Sequence, residues 1–324
     1  MTQTPPVLLC AYSRLEEFIV ILERLVALKI QTIYVNIDGS TDKEILHIHA
    51  IMMEKIEEIK KNNSDVKIYV RQTKSNLGSA VSMISAMDWF FSQVEFGIIL
   101  EDDLLINSDF IRFVEWAKVS FQSNESVWII SGSNFFSNDM ELGNKIQFPM
   151  YPITWGWATW AEKWILIRAS ILSDQNQVNK KMPFRVKKFW LTGAKRCRLG
   201  LIDAWDIPLA YFMRGNSKFS VVPPRNLVSN IGFTNLATHT NLNEFPLGLE
   251  LENLNIDFEF ITSREFDVNH SQKYSKALEE RVYKITIKNS LSFFASKFDF
   301  LLKKQKLTLG LEYRLESIGK EDFT

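Results

Sequence analysis

Residues 98–109 read IILEDDLLINSD. Glu101, Asp102 and Asp103 stand side by side between two apolar runs. Three adjacent carboxylates repel one another, and a divalent cation is the simplest group that offsets the cost. Hard ions such as Mg²⁺ and Mn²⁺ take oxygen ligands, commonly one or two carboxylates completed by substrate phosphates. The plain alternative is an acidic helix start, with Asp102 or Asp103 as a cap. A second pair of acids lies in DAWD, residues 203–206. Three apart on a helix, Asp203 and Asp206 would share a face; acids at a helix N-terminus, favoured by its dipole, are the competing explanation. His239 is one of four histidines and sits in a polar stretch, ATHT. A neutral imidazole suits Mn²⁺, although a lone histidine is more often structural.

These residues need elements to aim them. VLLCAY, residues 7–12, has the length of a buried strand, and Leu15, Phe18, Ile19, Leu22, Leu25 and Val26 then recur at helical spacing. TIYVNID ends at the turn signal Asp38-Gly39-Ser40. A charged helix over roughly 43–61 leads to the strand VKIYV, and Asn76-Leu77-Gly78 breaks the chain before a helix over 79–92. FGIIL is a fourth strand with the acidic triplet at its C-terminal end, Asn107 or Ser108 caps a helix to about Phe121, and VWIISG is a fifth strand. This alternation predicts an α/β fold, a mostly parallel sheet with helices on both faces. Ligands of such sheets sit at the carboxyl ends of strands. Ser13-Arg14, Asp38-Gly39-Ser40 and the triplet all occupy such ends.

The second half has another texture. YPITWGWATWAEKW places Trp155, Trp157, Trp160 and Trp164 within ten residues. Large aromatics dominate cores, and Trp160 and Trp164, four apart, read as core. Helices are predicted near 184–198 and 203–213, and KFSVVPP as a strand. Residues 290–306 form a basic amphipathic segment, suited to an anionic membrane or to the protein's own surface.

Composition bounds the rest. In 324 residues, 38 Lys and Arg balance 38 Asp and Glu, so no global field attracts nucleic acid. Cys10 and Cys197 are too few for a disulfide framework, which favours a reducing compartment. The N-terminus lacks the basic start of a signal peptide, and no apolar run is long enough to span a bilayer. The expected location is cytoplasmic, with attachment to the inner face of the membrane left open.

Taken in order, strand-AYSR, strand-DGS, NLG, strand-EDD, WGWATW-AEKW, DAWDIPLAY, and NLVSNIGF followed by THT resemble nucleotide-sugar glycosyltransferases of the GT-A (Rossmann-like) fold. The spelling EDD resembles the N-acetylglucosaminyltransferase I type and a bacterial group related to it. The resemblance covers residues 7–240 and implies a catalytic domain over 1–240. Its nucleotide-sugar-binding half would be 1–135 and its acceptor-side half 136–240, with 241–324 a helical C-terminal extension.

The resemblance also implies roles. Asp103 meets a Mn²⁺ or Mg²⁺ ion on the donor diphosphate, and His239 contacts that metal or the diphosphate. Glu101 and Asp102 face the donor's sugar and ribose or hold metal-bound water. Asp38 touches the base or ribose. Ala11, Ser13, Arg14, Asn76 and Gly78 line the nucleotide, with Arg14 near a phosphate. Asp206 is the base that deprotonates the acceptor hydroxyl, with Asp203 as runner-up or cap. From the residues themselves, Trp157 beside Gly156 and Trp205 between the two acids are the candidate sugar-facing aromatics. The implied reaction is metal-dependent, inverting transfer from a nucleoside diphosphate sugar, UDP-linked, to a glycan or lipid-linked acceptor in bacterial surface polysaccharide or lipopolysaccharide synthesis. A sugar nucleotidyltransferase would carry a Gly-rich loop after the first strand, and AYSRLEEF has no glycine. A non-catalytic carbohydrate-binding relative would have lost one of the acidic groups.

Overall fold

The computed structural model describes residues 4–139, 141–142, 145–173, 182–232, 252, 268–285 and 314–315. Its centre is a seven-stranded sheet in the order β3-β2-β1-β4-β7-β6-β8. The strands are β1 (Val7–Ala11), β2 (Thr32–Ile37), β3 (Lys67–Gln72), β4 (Phe96–Glu101), β6 (Val127–Ser131), β7 (Trp157–Trp160) and β8 (Phe219–Val221). A separate two-stranded ladder pairs β5 (Leu104–Ile106) with β9 (Val228–Asn230). Strands β1 to β4 are parallel, as the alternating sequence pattern predicts. β1 is buried along its whole length, which is why it reads as an unbroken apolar run.

Helices cover both faces. On one face α1 (Leu15–Ala27), α2 (Lys43–Asn62) and α4 (Ser108–Phe121) bury Phe18, Leu22, Met52, Ile56, Phe110 and Val114 against the sheet. On the other, α3 (Ser79–Phe91), α5 (Ala161–Leu172) and α7 (Asp206–Asn216) contribute Ile84, Met87, Phe90, Trp164 and Leu209. Each fully buried large apolar side chain contributes about 1.5–3 kcal/mol. Asn107 caps α4, its side chain accepting the Phe110 N–H at 3.0 Å. Asp102 and Asp103 precede a strand, β5, and cap no helix.

A third cluster joins α6 (Phe184–Arg198) to α8 (Val268–Ala277) and the π-helical turn Leu278–Val282. Tyr151 Oη donates to Glu279 at 2.8 Å, and Arg214 pairs with the same carboxylate at 2.7 Å. A buried acid shared by two partners fixes this segment against the core.

WATW, left unassigned by the sequence pattern, is a strand, β7, running antiparallel between β4 and β6 in the mostly parallel sheet. One expectation is corrected: α7 begins at Asp206, so Asp203 lies before the helix and shares no helical face with Asp206. Pro208 then falls in the first turn, where its missing N–H costs nothing.

Candidate active site

The site begins where β1 and β4 end side by side. Cys10 pairs with Glu101 in the parallel register, so the chain beyond β1 passes directly beside the triplet. Tyr12 N–H donates to Asp102 Oδ2 at 3.2 Å. Arg14 then swings across: its Nη1 lies 2.8 Å from Asp102 Oδ1 and 3.1 Å from Asp103 Oδ2. Below them Ile98 to Leu100 are buried, as are Leu104 and Ile106 beyond, so both ends of the triplet are anchored.

Asp103 has a second support. Ile231 N–H donates to its backbone carbonyl at 2.8 Å, continuing the β5–β9 ladder. Gly232 follows, its N–H bonded to Asn230 Oδ1 at 2.8 Å. A Cβ on Gly232 would fall 2.6 Å from Asp103 Cβ and Oδ2. The loop therefore approaches the carboxylate as only glycine permits. The sequence named the NIGF stretch, but the pairing that makes Asn230 and Gly232 neighbours of Asp103 is long-range.

The electrostatics follow from burial and crowding. Burial, then the charges of Asp103, Asp102 and Asp206, push the Glu101 carboxyl up to about 8. Burial and Asp103 raise Asp102 to about 6, against the pull of Arg14. Asp103 is raised too, chiefly by burial, with Arg14 opposing. Burial works against the Arg14 cation, yet Asp103 and Asp102 outweigh it and hold the guanidinium charged above its ordinary value. Three acids with one shared cation form an electron-rich, under-neutralised edge.

The second strand end supplies Asp38. Its carboxylate accepts from Leu77 N–H at 2.9 Å, Gly78 N–H at 3.2 Å and Thr73 Oγ1 at 3.1 Å. Burial raises its carboxyl in spite of these bonds. Asp38 thus shapes the loop 73–78. Asn76 is part of the same loop, its Oδ1 accepting the Gly78 N–H at 2.7 Å. Behind Tyr12, His49 on α2 bonds the Tyr12 carbonyl at 2.8 Å, and burial lowers its affinity for a proton. Tyr12, Thr73 and His49 were not singled out from sequence; each acts through a tertiary contact.

Gly78 has φ +77° and precedes α3. Asp203 caps that helix from 124 residues away: its Oδ2 accepts Ser79 N–H at 2.8 Å and its Oδ1 accepts Ala80 N–H at 3.0 Å. A Cβ on Gly78 would sit 2.5 Å from Asp203 Oδ2. Both carboxylate oxygens of Asp203 thus hold the first turn of α3. Asp203 therefore caps α3 and not its own helix α7, which has no side-chain cap. Arg314 reaches the same corner, donating to the Leu77 carbonyl. Asp206 stands in the first turn of α7, half-buried, and its charge is felt at Glu101 and at Cys197, whose thiol burial pushes up to about 12.

The aromatic assignments do not hold. Trp157 is 1% exposed and Trp205 5%. Their rings stack on each other, centroids 5.6 Å apart at 23°. β7 is a central strand, so Trp157 points into the core and offers no face to a sugar. His239 lies outside the described residues, as does the segment 290–306. Among the described residues no group of three or more His, Cys, Asp and Glu side chains is arranged to hold a metal ion. Asp102 and Asp103 nonetheless turn two hard oxygens toward one cation, Arg14 Nη1, and two carboxylates completed by substrate oxygens fit Mg²⁺ or Mn²⁺.

No family model matches the chain, and no curated protein matches it. Solved structures with a similar backbone include a mannosyltransferase from Pyrobaculum calidifontis in complex with GDP-mannose and Mn²⁺, at 11% identity and a TM-score of 0.38. That match covers 69% of this chain and 58% of the mannosyltransferase. A putative glucose-1-phosphate thymidylyltransferase from Bacillus anthracis matches at 12% identity and a TM-score of 0.32, over 52% of this chain and 76% of that one. A mannose-1-phosphate geranyltransferase from Thermus thermophilus matches at 9% identity and 0.33, over 68% and 74%. These likenesses are too distant to carry a residue's role from one chain to another. None of the three is of the N-acetylglucosaminyltransferase I type.

Proposed function

We propose that the protein is a metal-dependent glycosyltransferase. It moves a sugar from a nucleoside diphosphate sugar, UDP-linked, to a hydroxyl of a glycan or lipid-linked acceptor, with inversion, in bacterial surface polysaccharide or lipopolysaccharide synthesis. The observation that carries this reading is the meeting of Arg14, Asp102 and Asp103 at adjoining ends of β1 and β4, with the charge of Asp206 felt at Glu101. Residues 1–135 hold the donor and 136–240 the acceptor side, and the protein works in the cytoplasm.

In this reading Asp103 and Asp102 hold Mn²⁺ or Mg²⁺ together with the donor diphosphate. The ion, when bound, neutralises charge developing on the leaving diphosphate without a proton transfer. Arg14 is a movable cation beside the same oxygens, suited to follow a phosphate. Asp38 and Asn76 set the loop against which the nucleoside lies, and Gly78 lets the backbone come close. Ala11 and Ser13 line the β1 end. Asp206 takes the acceptor proton. Asp203 is a positioning residue that ties the α3 end to the segment carrying Asp206. The sugar nucleotidyltransferase reading is disfavoured because no glycine lies between Ala11 and Phe18 to wrap a phosphate chain.

The test is a screen of nucleoside diphosphate sugars for nucleotide release with Mn²⁺, with Mg²⁺ and with chelator. Metal-dependent release of a nucleoside diphosphate in the presence of a glycan acceptor supports the proposal. Pyrophosphate release from a nucleoside triphosphate and a sugar phosphate supports the nucleotidyltransferase. Absence of both, with no effect of metal on donor binding, overturns the proposal.

A further inference from the structure

Helix α6 carries a pattern that the site does not use. One face, Val186, Trp190, Gly193, Ala194 and Cys197, is buried against the third cluster and α7. At 100° per residue the opposite stripe is Phe184, Lys188, Thr192, Lys195 and Leu199, while Leu191 is half-buried against the third cluster. Phe184 is 78% exposed, and Leu199 and Leu201, just past the helix end, are exposed as well. Arg185 and Arg196 flank the stripe on one side, Lys187 and Arg198 on the other.

The charge is one-sided. Residues 184–201 contain six Lys and Arg and no Asp or Glu. Elsewhere the chain has 32 basic side chains against 38 acidic, so this cationic patch sits on a body of net negative charge. A helix C-terminus favours cations in its last turn, which accounts for Lys195, Arg196 and Arg198. It does not account for Arg185 and Lys187 in the first turn, where the dipole opposes them, nor for Lys188 just beyond it, whose Nζ lies 5.8 Å from the centre of the Phe184 ring, nor for a Phe left in water beside them.

We propose that the outward face of α6, with the loop to Leu201, is a docking surface for an anionic lipid bilayer. The helix would lie in the interface plane, Phe184 at one end and Leu199 and Leu201 at the other entering the headgroup–acyl boundary. The cations between them would meet lipid phosphates. Charge complementarity selects this occupant. Arg198 is turned to the Ser173 carbonyl at 2.8 Å; the other five cations suit a polyanionic plane, and apolar residues at both ends of a helix of about 22 Å suit a flat surface rather than a groove. The buried face of the same helix touches Ile207, since a Cβ on Gly193 would fall 2.8 Å from its Cγ2. A bilayer on the outer face would therefore lie one helix thickness from the segment that carries Asp206. This surface is separate from residues 290–306 and does not depend on the reaction proposed above.

The experiment is co-sedimentation of the full chain with vesicles of phosphatidylcholine containing phosphatidylglycerol, against phosphatidylcholine alone. The expected result is partition onto the anionic vesicles only, weakened by salt. The double variant K188E/K195E is expected to lose roughly tenfold or more in partition. F184S/L199S, which keeps every charge, is expected to lose severalfold. All four positions face outward, and thermal melts like those of the parent confirm folding. In parallel, Phe184→Cys is labelled with an environment-sensitive dye. Both native cysteines are buried, so the label reports this position alone and is expected to shift blue on anionic vesicles. Partition of both double variants equal to the parent's would overturn the proposal, placing any binding in another segment. Full binding by F184S/L199S with no dye shift would also overturn it, leaving mere electrostatic adsorption. Binding to a soluble polyanion such as heparin without binding to vesicles would exclude the bilayer as occupant.

Discussion

A single nitrogen, Arg14 Nη1, stands 2.8 Å from Asp102 Oδ1 and 3.1 Å from Asp103 Oδ2. Its one positive charge is shared by two carboxylates at the point where a divalent ion would be held. Arg14→Met is expected to lower unfolding free energy by about 2 kcal/mol, because two buried acids lose their partner. Mn²⁺ should then raise the melting temperature of the variant more than that of the parent. Thermal melts with Mn²⁺ and with chelator check this. Melts that ignore Mn²⁺ in both proteins would exclude this acid pair as a cation site.

Asp203 and Asp206 should separate cleanly. Asp203→Ala removes the acceptors of Ser79 and Ala80 and should cost about 1–2 kcal/mol of stability by urea unfolding. Asp206→Ala should melt near the parent and bind donor, yet transfer roughly 10²- to 10⁴-fold more slowly. Normal turnover by the second variant would sink its role as base.

Gly232→Ala tests how closely the β9 loop confines Asp103. The new methyl meets Asp103 Cβ and Oδ2 at 2.6 Å, so the carboxylate must shift. Donor affinity in the presence of Mn²⁺ should fall roughly tenfold to a hundredfold, with little loss of secondary structure. Titration calorimetry reads the first and circular dichroism the second.

Glu101 sets a pH dependence whose sign follows from its raised carboxyl. A folded-state value of about 8, above the ordinary 4.5, means the native state binds this proton more tightly than the unfolded chain. The stabilisation is full below 4.5 and is lost as pH climbs toward 8. Glu101→Gln keeps a neutral group there at every pH. The stability difference, variant minus parent, should therefore grow in the variant's favour across that window in denaturant titrations. A difference independent of pH would show that Glu101 ionises normally.

The strand ends were legible because β1 to β4 are short, apolar and separated by helical periodicity, so the edge bearing Arg14, Asp38 and the triplet could be assembled from local pattern. Asn107 as a cap and the span 184–198 of α6 were legible for the same reason. What failed was non-local. WATW shows no strand period of its own and becomes β7 only by pairing with β4 and β6. Trp157 and Trp205 were read as ligand-facing because sequence cannot show that each already faces the other. Asn230 and Gly232 reach Asp103 through the β5–β9 ladder, a pairing of two three-residue strands too short to announce themselves.

The reach of Asp203 to Ser79 also bears on how the chain is made. At about 5–20 residues per second, the 124 residues between them take some ten seconds to emerge from a ribosome. Through that interval the first turn of α3 has no acidic partner, and the loop that Asp38 gathers has nothing to brace it from outside. The first half of the molecule can form its strands as it appears, but its nucleotide-facing corner is finished only when the second half arrives. A fragment ending before residue 203 should thus be a folding intermediate with an unclosed rim rather than a smaller version of the protein.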